Sequence, residues 1–413
     1  MKSITIYLIF VSAIIGIVFI SGCVNQGSGV APVCENGICE AGESTDTCPR
    51  DCFVKEIRIL QENAAHGEWS PSGDMIVFDK ENADEYFDIY IMLPDGTITK
   101  SITENNPKIN QRHNGWPAWD PSGNYIVFQS EEETHYMSDQ KWLGYPGLGF
   151  FSNLWATTPD ANQFWKLTDI KIKKTATDGI PIMGIVNPIF SHDGKKLMWT
   201  ERYDEGGYLN WGKWQVKMAD FAVKDGQPRL EPGGGQAILR AEDVCEKCNY
   251  VVAMAFSPDD KKLLIAGNLD GQHVYGMDQY LYDLSSENLA NLQNTSINWE
   301  EGACWSPDGK KIIYPPDKGS PYKLNFNDPN WPVQPRTREY WIMNADGTNK
   351  RQLTYFNTPG SPEYVGIGKG RRVIVAECSF SPDGKKMVGI VGIDQKTGKK
   401  SDFQVNVGLF EFE

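Results

Sequence analysis

The side chains of this 413-residue chain that are suited to chemistry are few: five histidines and nine cysteines, set among 54 acidic and 40 basic residues. Polar groups gather just ahead of a recurring aromatic-containing phrase: His66 and Glu68, His113 and Asn114, Asn187, Tyr250, Glu300 and Glu301, and Glu377. Histidine with carboxylates drawn from several such segments would suit a metal ion. No His-x-His, no His-Glu-x-x-His and no repeated histidine position marks such a site. The expectation is therefore a polar, water-filled channel that binds a ligand, with any metal unknown and no cofactor predicted. Gly-x-Ser-x-Gly and the phosphate-cradling Gly-x-x-x-x-Gly-Lys-Ser/Thr are missing as well, so no catalytic residue is assigned.

The cysteines form a second group. Cys34, Cys39, Cys48 and Cys52 crowd a stretch too short to own a hydrophobic core, and such a stretch needs covalent staples. Two disulfides with three possible connectivities are expected. Glu40, Glu43, Asp46 and Asp51 in or beside it are weak Ca²⁺ candidates, against a solvated acidic loop held by disulfides. Cys245 and Cys248 read as a local staple, outside any thioredoxin-like context. Cys304 and Cys378 occupy the last and next-to-last places before two later aromatics, so they point to opposite sheet faces. Either a bridge between neighbouring sheets or two buried thiols follows. If Cys23 is modified, eight cysteines remain to pair.

The elements that position these groups come from one phrase. Trp69-Ser70-Pro71-Ser72-Gly73 returns as Trp119-Asp120-Pro121-Ser122-Gly123, Phe190-Ser191-His192-Asp193-Gly194, Phe256-Ser257-Pro258-Asp259-Asp260, Trp305-Ser306-Pro307-Asp308-Gly309 and Phe380-Ser381-Pro382-Asp383-Gly384. An aromatic ends one strand, Pro presets φ, Ser or Asp bonds the local backbone, and Gly supplies positive φ before the next strand. Asp260 stands where the other copies have Gly and is expected to be slightly strained; His192 replaces the turn proline. A third strand follows, as in Trp341-Ile342-Met343-Asn344-Ala345-Asp346-Gly347, and a fourth closes with Ile102-Thr103, Leu167-Thr168 or Leu353-Thr354. Six units of four antiparallel strands predict an all-β, six-bladed propeller. Its last blade stops at a third strand, Phe403 to Phe410, so Val54 to Leu60 is expected to supply the fourth and remove an exposed edge.

The phrase aromatic-Ser-Pro-Asp-Gly-Lys-Lys, then Ile-Met-Asn-Ala-Asp-Gly-Thr and Gln-Leu-Thr, resembles the repeat of TolB-type β-propellers over roughly residues 53 to 413, best in Trp305 to Thr354. That resemblance implies a periplasmic interaction platform. The separate N-terminal α/β domain of TolB itself is replaced here by a leader and the cysteine module, so partner identity does not carry over. Lys2, the apolar run Ile4 to Ile20, and Ile20-Ser21-Gly22-Cys23 form a signal-peptide layout. The quartet resembles the lipobox of prokaryotic lipoproteins, which implies lipidation of Cys23; an uncleaved signal anchor is the alternative. The domain reading is 1–22 signal peptide, 23–33 tether, 34–52 cysteine-rich module and 53–413 propeller.

A net charge of −14 disfavours nucleic acid as a partner. Two long insertions carry rim aromatics that could meet a ligand: Tyr136, Trp142, Tyr145, Phe150 and Phe151 in one, Tyr322, Phe326 and Trp331 in the other. The functional expectation is a monomeric, lipid-anchored platform on the outer face of the cytoplasmic membrane or the cell surface, binding an extracytoplasmic protein or a glycan without catalysis. The alternative is a metal-dependent, lyase-like carbohydrate enzyme with its site in the channel, similar to oligogalacturonate lyases.

Overall fold

The computed structural model describes residues 43, 44, 46–135, 137–171, 183–205, 212–273, 276–295, 298–320, 336–364, 372–397 and 400–412, without the side chains of 395–397 and 400–403. They build six four-stranded antiparallel sheets. The inner strands are Ala64–Trp69, Asn114–Trp119, Gly184–Phe190, Val251–Phe256, Cys304–Trp305 and Val373–Phe380. Each ends on the aromatic of the hairpin phrase, and each contacts the inner strand of the next blade around a ring. Ring closure runs through the N-terminal strand Val54–Glu62, which pairs with Lys400–Phe412 in the register Ile57↔Phe410 and Arg58↔Leu409.

Strand alternation gives every blade two apolar faces, and each boundary holds one core cluster. Trp69 and Phe78 of blade one meet Val388, Val407 and Leu409 of blade six. Ile89 and Ile91 of blade one meet Trp119 and Phe128 of blade two. Ile313 and Tyr340 of blade five meet Val375 and Phe410 of blade six. Each such side chain contributes about 1.5–3 kcal/mol on full burial, so stability is spread around the ring. It has no single centre.

The hairpin turns repeat almost atom for atom. Gly309 donates to Ser306 O at 2.9 Å, Ser306 Oγ donates to Asp308 at 2.7 Å, and Lys311 N donates back to Ser306 Oγ at 2.9 Å. Gly309 sits at φ +70° and Asp260 at +56°, the region glycine enters most readily. Turn packs on turn: a β-carbon on Gly309 would lie 3.5 Å from Pro258, and one on Gly384 3.6 Å from Pro307. At the boundary of blades three and four the two exceptions meet each other. His192 Nδ1 lies 2.9 Å from Asp260 Oδ1, and the N–H groups of His192 and Asp193 donate to the same carboxylate at 2.8 and 3.0 Å. A hydrogen-bonded pair thus stands where four of the other five boundaries stack proline on glycine.

The closing threonines are latches. Thr354 Oγ1 accepts from Tyr340 N at 3.0 Å and donates to Glu339 at 2.7 Å; Thr103 does the same for Ile89 N and Asp88, and Thr168 for Leu154 N and Asn153. The fourth strand is so tied to the start of the third. Blade three departs most from the sequence expectation: its outer strands, Lys213–Lys224 and Gln227–Arg240, form a hairpin far longer than the loose phrase near Trp214 to Met218 suggests. Its tip is held over blade two by Tyr125, whose hydroxyl donates to Gly226 O at 3.2 Å. No helix among the described residues is long and apolar enough to cross a membrane.

Candidate binding channel

The six inner strands enclose a cavity of about 470 Å³ that opens at the turn end of the ring. Around its mouth stand Pro71, Pro121, His192, Pro258, Pro307 and Pro382, with the strand-ending rings Trp69, Trp119, Phe190, Phe256, Trp305 and Phe380 in the wall. All six turn residues keep part of their surface in solvent. The mouth is therefore a rigid, mostly apolar collar.

Deeper in the channel one register position dominates, three residues before each hairpin aromatic: His66, Trp116, Asn187, Ala253, Gly302 and Glu377. The inner-strand ladders of blades one, two, three, four and six break their register there, the mark of a bulge that re-aims a side chain. His66, Trp116 and Asn187 have φ of +41°, +50° and +56°, and Gly302 +85°. His66, Trp116, Asn187 and Glu377 line the cavity.

Blades one and two are joined at this level by one carboxylate. Asp79, fully buried, receives His66 Nδ1 at 2.8 Å and Trp116 N–H at 2.7 Å through the same oxygen, while its Oδ1 has no hydrogen-bond partner. The His66 and Trp116 rings stack at 4.2 Å. Burial works against the charged imidazole, but Asp79, and Glu377 beyond it, outweigh that cost and raise the His66 pKa. Burial pushes Glu377 up to about 7, opposed by His66 and Arg338 and reinforced by Glu301 and Asp79. Glu68 is pushed up to about 8, also by burial, although Trp119 N–H bonds to it. Near neutral pH the channel wall thus holds carboxyls that exchange between protonated and ionised forms. Cys304 and Cys378 form a disulfide across the wall, Cα–Cα 5.6 Å, joining the inner strands of blades five and six.

The other sequence candidates lie elsewhere. His113 is fully buried, away from the cavity: Phe87 N–H donates to its Nδ1 at 3.2 Å, Tyr86 and Tyr145 edge against it, and burial lowers its pKa to about 4. Tyr250 donates to Glu301 Oε1 at 3.0 Å, a link between blades four and five outside the lining. Glu300 is buried and raised to about 8 by burial and by Asp278. Phe150 and Phe151 are core, not rim, both fully buried, because the insertion folds back and bridges Phe150 to Gly184. Tyr145 is half-buried against His113, and among the described residues of that group Trp142 alone is well exposed, at 47%. Tyr136, Tyr322, Phe326 and Trp331 lie outside the described residues, as do Cys23, Cys34, Cys39 and Glu40.

Cys48 and Cys52 are both disulfide-bonded, and Cys245 pairs with Cys248. Ligand atoms of Glu43, Cys48 and Asp51 come within 4.8 Å of one another, the one such trio among the described residues. Calcium asks for six to eight oxygens; here one member is a disulfide sulfur, and Asp46 is engaged by Lys311 Nζ at 2.7 Å. Sequence inspection missed Trp116 and Asp79. Aligning the inner strands on their aromatics would have found the first, and a lone acid after Ile76-Val77-Phe78 the second.

No protein-family model matches the chain, and no curated protein does. Among solved structures it is similar to TolB from Acinetobacter baumannii, at 16% identity over 85% of this chain and 65% of that one, TM-score 0.40. It is also similar to a protein described as TolB from Agrobacterium tumefaciens (14%, 87% and 99%, TM-score 0.45) and to an oligogalacturonate lyase in complex with manganese (13%, 86% and 93%, TM-score 0.46). The chain spans 65% of the length of the Acinetobacter protein. With every one of these TM-scores below 0.5, the architecture rests on the chain's own six sheets.

Proposed function

We propose that this chain is a membrane-tethered, extracytoplasmic propeller that binds a protein ligand at the turn-side mouth of its channel and performs no chemistry itself. The observation that carries this reading is the collar of turn prolines and strand-ending aromatics around a cavity of about 470 Å³. Concave, largely apolar sites with a few convergent polar groups are where ligands bind, and proline collars offer rigid surface at little entropic cost. An extended protein segment suits such a mouth better than a sugar, which favours exposed coplanar rings; a glycan is the other outcome of the test. The lyase-type alternative needs three or more histidines and carboxylates converging in the channel, and the trio within ligand distance lies instead in the cysteine module. The tether reading rests on Ile20-Ser21-Gly22-Cys23.

Capture from membrane extracts beside a glycan array tests the reading. Recovery of a specific protein with no saturable sugar signal is the expected result. An empty capture beside saturable sugar binding overturns the protein ligand, and intact-mass analysis finding Cys23 unmodified overturns the lipid tether.

A further inference from the structure

The charge-bearing side chains of the cavity lining are carboxyls and imidazoles. Among its described residues the ionisable groups are Glu68, Glu377, His66 and His192, with no lysine or arginine. Behind the wall, Asp79 adds a buried carboxylate whose Oδ1 is without a hydrogen-bond partner. Besides His66, the cation that acts on Glu377 is Arg338, and its guanidinium is committed to the carbonyls of Pro315, Trp299 and Glu301 at 2.7, 3.1 and 2.8 Å. An anion entering this channel would meet carboxylates, a His66 imidazole already bonded to Asp79 at 2.8 Å, and no free guanidinium or ammonium. A cation would meet two carboxyls able to ionise and an indole wall, and both interactions strengthen once water is expelled.

Resting on the binding reading above, we propose that the ligand group entering the channel is a primary ammonium or guanidinium, seated against Glu68 and Glu377 with its carbon body along Trp116 and the turn prolines. Near neutral pH, uptake of one cation is balanced by release of one proton from the Glu68 and Glu377 carboxyls to solvent. Such a group has two sources, a free small amine or a basic side chain of a protein segment.

The test is a tryptophan-fluorescence titration of the full chain at about pH 8.5, since Trp116, Trp69, Trp119 and Trp305 all line the cavity. The probes are 2-phenylethylammonium, 3-phenylpropanoate, N-acetyl-Phe-Lys-amide and the same dipeptide with norleucine for lysine. Saturation by a cationic probe, at least tenfold tighter than its anionic or neutral counterpart, is expected; tight binding of the lysine dipeptide alone identifies a basic protein segment, and equal binding of the free amine identifies a small ligand. Glu68→Gln/Glu377→Gln should weaken the cation by at least tenfold. Comparable affinity for the anion on the wild-type protein, or an unchanged cation affinity in a folded double variant, overturns the proposal. If no probe saturates while a channel-filling Asn187→Trp variant still abolishes capture from extracts, the cation claim fails and the binding reading stands; capture indifferent to that variant removes both.

Discussion

Removing the Cys304–Cys378 bridge by a Cys304→Ala/Cys378→Ala pair tests how the ring is held at its thinnest inner strand. That strand, Cys304–Trp305, is two residues long, against six to eight in the other blades. The bridge spans 74 residues of sequence, and the loop-closure expression gives about 4.4 kcal/mol for that length, of which natural bridges deliver about 2–4. For a propeller of this size a kilocalorie is worth roughly 1.3 °C, so Tm should fall by about 3–5 °C. The Cys245–Cys248 bridge spans three residues, and the same expression gives about 2 kcal/mol; its double alanine variant is the internal control and should lose less. Calorimetry measures both, and hydrogen exchange should show faster opening around Cys304 in the first variant only. Equal melting of wild type and Cys304→Ala/Cys378→Ala, within about 1 °C, would refute the claim that the bridge holds blades five and six together there.

Thr354→Val should cost about 1–3 kcal/mol in urea melts, because Tyr340 N–H and a buried Glu339 both lose a partner; no change would show the latch to be dispensable. His192→Pro with Asp260→Gly should be milder than the sum of the two single changes by about 1 kcal/mol, since the pair rebuilds the proline-on-glycine contact, and additive melts would contradict that coupling. Glu68→Gln should leave stability near that of wild type at about pH 5 and exceed it by about pH 8. The sign follows from a folded-state pKa raised to about 8: the native carboxyl holds its proton after the unfolded one has released it, so the wild type loses stability across that window, and a pH-independent difference in Tm would refute it. Affinity for 2-phenylethylammonium should rise from about pH 6 to pH 9 as Glu68 and Glu377 ionise, with His66, Asp79, Glu301 and the buried Arg338 as the charged or titratable groups around them; a flat or falling profile contradicts it. The amine itself stays charged over that range.

The blade count and the closing strand were legible because their signals are local. Each aromatic-Ser-Pro-Asp-Gly turn is fixed by hydrogen bonds within six residues, and the alternation of Val54 to Leu60 is enough to mark a strand. The channel belt is a different kind of object. His66 and Trp116 face each other because bulges in separate blades turn them inward, and Asp79, from a third strand, bonds both; no offset along the chain encodes that meeting. Phe150 and Phe151 show the same limit from the other side. Aromatic content announces a hydrophobic surface but not which way it faces, and here the insertion buries its own rings. Blade three's long outer hairpin does carry a local signal, Asp225-Gly226, a two-residue turn with both residues at positive φ between Lys224 and Gln227, but nothing in the sequence marks how far its strands run.

The most direct measurement of the central claim is ligand capture by Asn187→Trp compared with the wild type. Asn187 lines the cavity, and its backbone at φ +56° matches that of Trp116 at +50°, the equivalent position of blade two, so an indole is compatible with the bulge and would fill the channel. With folding verified by an unchanged far-UV circular-dichroism spectrum and a cooperative melt, the binding account predicts that the captured protein disappears. Undiminished capture by the plugged ring would place the ligand elsewhere on the molecule.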